Sequence, residues 1–185
     1  MGRNDIILIM DKLLILLLLL SAPSQAQWNP NENKVGKPLP EVLAAVEKFK
    51  ETPDLEIFFE NAYGYAVFPV IKKGGFGIGG AGGKGQVFVK EEMIGNSKVR
   101  QVSIGLQAGG QKYREIIFFK DKVAIDEFTT GNFKLGAQAS AVALTEGVSK
   151  AAAYNNGVAI FTQTIGGLMY EAGVGGQKFS FTPTQ

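Results

Sequence analysis

The chain contains no cysteine and no histidine. Without cysteine it has no disulfide, no thiolate nucleophile and no thiolate-held zinc or iron–sulfur cluster. Without histidine it has no Ser-His-Asp or Cys-His catalysis, no histidine-ligated zinc and no imidazole base. An enzyme built from this chain would depend on carboxylates, Lys, Tyr or Ser–Lys pairs, and no such pairing is legible. Asp121, Asp126 and Glu127 fall on a short helix that Asp121 caps. Glu171, between Tyr170 and Ala172, is the odd acid, either an outward strand residue or a partner for a lysine across the sheet. The expectation is a protein that is no enzyme, with no catalytic residue, no metal and no cofactor. Charge is also scarce: the net charge is +2, well short of a nucleic-acid binder.

Long apolar runs are absent except near the start. Leu13 to Leu20 is unbroken, Arg3 and Lys12 precede or open it, and Ser24-Gln25-Ala26 ends in small residues. This pattern predicts a secretory signal over 1–26, cleaved after Ala26. The alternative is a retained anchor. The uncharged stretch from Leu13 to Ala22 is short against the ~20 residues that cross a bilayer. Extending it to Ile6 would bury Asp11 and Lys12, which is costly. The expected localisation is therefore periplasmic, with peripheral attachment to a membrane as an option. Export also argues against a nucleic-acid partner.

Residues 27–40 carry Pro30, Pro38 and Pro40 and read as a flexible tether, with the single tryptophan, Trp28, at its start. The domain proper is expected over 41–185. Glu41 to Glu51 predicts a helix whose Val42, Val46 and Phe49 share one face. Thr52-Pro53-Asp54 predicts an N-cap and first turn of a second helix, reaching about Ala62, with Leu55, Phe58 and Phe59 on its apolar stripe. Strands follow over Tyr65–Ile71, Gly74–Gly80, Gly85–Lys90, Arg100–Ala108 and Tyr113–Phe119. Gly95-Asn96 and Asn155-Asn156-Gly157 predict turns. Phe133 to Leu144 favours a strand by context. Val158–Thr164, Leu168–Val174 and Lys178–Phe181 complete a β-rich end.

Glycine is plentiful where other residues are scarce. From Lys73 to Gly85 the chain alternates so that Phe76 and Ile78 share one face while Gly75, Gly77 and Gly79 share the other. A bald face admits a close backbone or ligand. Gly77 to Gly82 spells G-x-G-x-x-G. A strand follows in place of a helix, and position 97 is Ser, so a dinucleotide site is not supported. Gly83-Lys84 is followed by Gly85, so a P-loop fails as well. A Gly-Gly-Gln-Lys echo at 109–112 and 175–178, with a degenerate copy at 82–86, predicts three related hairpins. The fold class expected is α+β: a curved or barrel-like antiparallel sheet with short N-terminal helices packed on it.

Five separated blocks carry a family likeness: Tyr63–Pro69, Lys73–Gly80, Val102–Gly105, Ile116–Phe119 and Gly167–Tyr170. Together they resemble the SYLF domain over roughly Leu43 to Phe181. The signal-like start and the Gly-Gly-Gln-Lys-Phe ending look like its exported bacterial branch. The resemblance implies lipid binding. Eukaryotic relatives bind phosphoinositide membranes, through a basic amphipathic N-terminal helix, and actin filaments. Here Glu47 and Glu51 sit beside Lys48 and Lys50, so that helix is not strongly basic. A bacterial exported space offers neither actin nor phosphoinositides as a rule. What carries over is lipid binding as a class.

The expected function is non-enzymatic binding of phospholipid or an anionic membrane surface in the bacterial envelope. The alternatives are an envelope structural or protein-interaction module, with a protein partner unknown, and a carrier enclosing an acyl chain. The candidate lipid-binding residues are Lys84, Lys112 and Lys178, placed by the glycine repeats on three turns of one rim, and Lys72 and Lys73, which precede the glycine run and share that rim if the strands pair. Val42, Val46 and Phe49 form the candidate lipid-facing helix stripe. Each lysine near an anionic leaflet contributes ~1 kcal/mol. Solvated edge lysines that block sheet aggregation are the competing reading.

Overall fold

The computed structural model describes residues 37–136, 142–143 and 154–184. The signal-like segment and most of the tether lie outside the described residues.

Helix α1 (Pro40–Lys50) begins with proline at its first position, where the missing N–H costs nothing. Val42, Ala45, Val46 and Phe49 recur at helical spacing, and all four are buried. Lys48–Glu51 and Lys50–Glu47 pairs line the wet side. A 3₁₀ turn (Pro53–Leu55) and α2 (Glu56–Asn61) follow. Thr52 precedes that turn as expected, but its side chain makes no capping bond. Phe58 and Phe59 of α2 pack edge-on against Phe161 and Phe118 respectively.

The sheet is built from strands far longer than the separate segments expected. β1 (Gly64–Val89) and β2 (Glu92–Phe119) pair antiparallel along their whole length, from Gly64 opposite Phe119 to Val89 opposite Glu92. Helix α3 (Lys122–Thr129) then crosses the sheet. Asp121 caps it as expected, accepting from the Ala124 amide at 3.0 Å. Two short strands, β3 (Lys134–Leu135) and β4 (Val142–Ala143), precede the long β5 (Val158–Pro183). The order is β1-β2-β5-β3, with β4 pairing in parallel on β5. Asn155 to Gly157 forms the expected turn, with positive φ at Asn156 and Gly157.

The turns expected at Gly95-Asn96 and at the glycine repeats are strand in the structure. The β1–β2 reversal is at Lys90-Glu91, both at positive φ, ahead of Gly95-Asn96. Gly95 sits inside β2 opposite Val87 and Pro183. A side chain there would strike the Phe181 ring, so its glycine serves packing. The Gly-Gly repeats are also within strands: Gly74 and Gly75 face Gly110 and Gly109, and Gly175 and Gly176 face Ser103 and Val102. The long β1 also bends, since its Gly83 and Gly85 meet Val67 to Ile71 of the same strand.

The bend brings β1 back onto itself. A Cβ on Gly64 would collide with the Phe88 carbonyl, one on Gly83 with Val70 and Ile71, and one on Gly85 with Val67 and Phe68. The glycine face is therefore the inside of the curl, where two backbones touch. The expected α+β class with a curled antiparallel sheet is what the structure has. Its inner face holds Phe68, Ile71, Val99, Ile117, Phe119 and Phe179 with Ile125 and Phe128 of α3. A second core lies under α1, formed by Val42, Val46, Phe49, Leu55, Val67, Phe88, Ile116 and Phe118. Each large buried apolar side chain there contributes roughly 1.5–3 kcal/mol.

Candidate functional site

Strand pairing gathers cations onto one solvent-facing area. Lys84 on β1 stands opposite Lys98 on β2. Two positions along, Arg100 stands opposite Lys178 on β5, and Lys178 has Lys134 of β3 on its other side. Directly opposed residues point the same way, as do residues two apart. Lys84, Lys98, Arg100, Lys134 and Lys178 thus share a face, and all five are exposed. Their backs are the buried Ser97, Val99 and Phe179. No described carboxylate forms a salt bridge with any of them. The chain itself has no Asp or Glu from Gly64 to Val89 or from Met93 to Arg114.

An apolar row adjoins these charges. Val102 follows Arg100 by two positions on β2 and faces Gly80, while Ile78 and then Phe76 continue along β1. Phe76 is 89% exposed, Ile78 68% and Val102 65%. Rows two residues apart are separated by about 7 Å. Large apolar side chains this exposed, beside a band of cations, form the candidate interaction surface.

A groove of about 200 Å³ runs from this area to the start of α1. Leu39, Val42 and Pro69 supply its apolar lining, and Lys84, Lys98 and Glu41 its charges. Gln86 fixes that junction. It is buried, its Oε1 accepts from the Leu39 amide at 2.8 Å, and its Nε2 reaches Asn96 and the Lys37 carbonyl.

The structure divides the lysines expected on one rim. Lys84 and Lys178 join the five-cation area, although as mid-strand residues. Lys72 and Lys112 are exposed and directly opposite each other, a separate pair twelve residues from Lys84 along β1 and fourteen from Lys98 along β2. Lys73, next in sequence to Lys72, points to the other face and is half-buried. Val42, Val46 and Phe49, expected to face lipid, are buried in the core under α1. Their stripe packs on the sheet, because that covers Val67, Phe88 and Phe118. The apolar side chains that α1 leaves wet are Leu39 and Leu43.

Sequence reasoning missed Lys98, Arg100 and Lys134, which belong to no glycine repeat. For Lys98 and Arg100 the signal was the acid-free run on both sides of the hairpin; Lys134 lies outside that run. It also missed Glu115, which has no exposed surface. Burial pushes its carboxyl up to about 7, against the opposing pull of a Gln177 hydrogen bond. Tyr65, stacked on Phe88 at 5.1 Å, is pushed up to about 12 by burial and by Glu91 and Glu47, so its hydroxyl stays neutral.

Residues 100–181 match the family described as Ysc84, Las17-binding protein actin regulator. Three of the five blocks that resemble the SYLF domain, Val102–Gly105, Ile116–Phe119 and Gly167–Tyr170, lie inside this match. Beta cell expansion factor A of Aeromonas veronii is 32% identical over 143 residues, covering 74% of this chain and 52% of that protein. The chain thus spans about half the length of the curated relative it matches. A family match that takes in β2, α3 and β5, together with this relative, shows that the chain carries a domain of the Ysc84, or SYLF, family.

Proposed function

We propose that the protein binds phospholipid at an anionic membrane surface of the bacterial envelope, without catalysis. The observation that supports it most is the contiguity of two features: five exposed cations with no described carboxylate partner, and the exposed row Phe76, Ile78 and Val102. The cations attract an anionic leaflet at ~1 kcal/mol each. The attraction reaches about a Debye length, ~10 Å at 0.1 M salt, so it orients the sheet before contact. The apolar row then enters the headgroup boundary, where Phe76 alone gains roughly 1.5–3 kcal/mol on leaving water. The groove beside Lys84 and Lys98 offers a seat for one headgroup phosphate.

The family description supports a second reading, a protein partner with an acidic surface. The same cations would meet such a partner. Enclosure of an acyl chain is less well supported, because Phe68, Phe119, Phe128 and Phe179 fill the described interior. Vesicle flotation of the full chain discriminates. The reading expects flotation with anionic vesicles, weak flotation with neutral ones, and loss in Lys98→Glu/Arg100→Glu. Equal flotation with both lipid compositions rejects the electrostatic part. No flotation with either, alongside capture of one stoichiometric protein, favours the partner reading.

A further inference from the structure

Glu115 lies on the inner side of β2, and its register partners are Phe68 on β1 and Thr162 on β5. Its Oε2 accepts from Gln177 Nε2 at 2.9 Å, and its Oε1 has no partner. Gln177 is on the far half of β5, where its own register partners are Gln101 and Leu135. The bond therefore joins no sheet neighbours. It runs across the inside of the curl, from one half of the bent sheet to the other. The Tyr113 hydroxyl spans the same gap, donating to Gln101 Oε1 at 3.4 Å within β2 itself.

We propose that the buried Glu115 is a proton-dependent clasp: the two halves of the curled sheet stay together while its carboxyl is protonated and separate when it ionises, with the Gln177 amide opposing that release. A carboxylate sealed in this interior has one hydrogen bond for two oxygens, so separation of the halves is its route to solvation. The groups around it offer no substitute. The core on the inner face holds Ala124, Ile125 and Phe128 of α3, Leu135 of β3 and Phe179 of β5, all apolar, and β5 adds Thr162 opposite Glu115 and Gln177 as its hydrogen-bond donor. β2 adds Tyr113. The inward cation of β1 is Lys73, which pairs with Gln111, four positions from Glu115 along β2 and so about 13 Å away. The elevated proton affinity that burial gives Glu115 puts its ionisation within the neutral range.

Hydrogen exchange of the full chain at about pH 5 and about pH 8, corrected for intrinsic chemistry, tests this. In the wild type, protection of residues 98–103 and 176–180 falls roughly tenfold or more between the two conditions, and in Glu115→Gln it stays level. An equal fall in both proteins, or none in the wild type, overturns the proposal. Gln177→Leu gives a second arm that does not depend on the folding of the first variant. Loss of the bond that joins the two halves in the closed state moves the opening midpoint to lower pH. An unchanged midpoint overturns the clasp.

Discussion

Arg100 and Lys178 are direct cross-strand neighbours on the solvent face of β2 and β5, and Lys178 has Lys134 on its other side. Like charges placed opposite one another destabilise a sheet, by a few tenths to ~1 kcal/mol. A purely structural surface would alternate its signs. Lys178→Gln should therefore raise the melting temperature slightly at low salt while weakening binding to anionic vesicles about fivefold. Thermal denaturation and flotation on one sample check both. A variant that loses stability and keeps its binding would assign the lysine to the fold.

Phe76 has almost no contact with the protein, so Phe76→Ser should leave the unfolding midpoint within ±0.5 kcal/mol of wild type. Membrane partition should drop by roughly tenfold or more, because the burial gain in lipid is lost. Partition measured by vesicle sedimentation at fixed salt reads this directly. Unchanged partition would remove the apolar row from the docking surface.

The pH dependence of stability follows from Glu115. Its ordinary value is 4.5, and in the fold it is about 7. Between these values the unfolded chain releases the proton and the folded chain keeps it. The contribution to stability is thus complete below about pH 4.5 and is lost as pH rises through about 7. The loss amounts to roughly 3 kcal/mol, since one pKa unit corresponds to about 1.4 kcal/mol. Urea titrations should show it, and Glu115→Gln should flatten the curve. A wild type whose stability rises over that interval contradicts the assignment.

The glycines divide into two groups by what surrounds them. A methyl at Gly85 would collide with the Val67 carbonyl and the Phe68 ring, whereas one at Gly166 meets nothing within 4 Å. Gly85→Ala should cost about 1–3 kcal/mol through overpacking. Gly166→Ala should change stability by less than ~0.5 kcal/mol. Chemical denaturation of the pair tests whether the bald face of β1 is needed for backbone contact. Similar costs at both sites would mean that it is not.

Local signals in the sequence were legible where one principle acted alone. The 3.6-residue spacing of Val42, Val46 and Phe49 placed α1 within one residue, and Asp121 placed α3 by its cap. Asn156 and Gly157 placed a turn by their tolerance of positive φ. Where two principles competed, the reading went astray. Gly95 and the Gly-Gly pairs suggest turns by composition, but β2 and β5 continue through them, and at Gly95 the Phe181 ring needs the space. Val42, Val46 and Phe49 look equally suited to lipid or to a sheet, and only packing shows which one they meet. Glu115 was hidden because Ile116 to Phe119 is buried on both faces, so alternation no longer tells an inward position from an outward one.

The Lys90-Glu91 reversal also has a kinetic consequence. It is the one place where β1 and β2 can begin to pair without closing a long loop, and from there the ladder extends residue by residue towards Gly64 and Phe119. β5 attaches only after the chain has passed through α3 and the segment beyond it. The rate at which the molecule reaches its native state should therefore depend on this two-residue tip, while the distant Gly64–Phe119 end governs how quickly it comes apart.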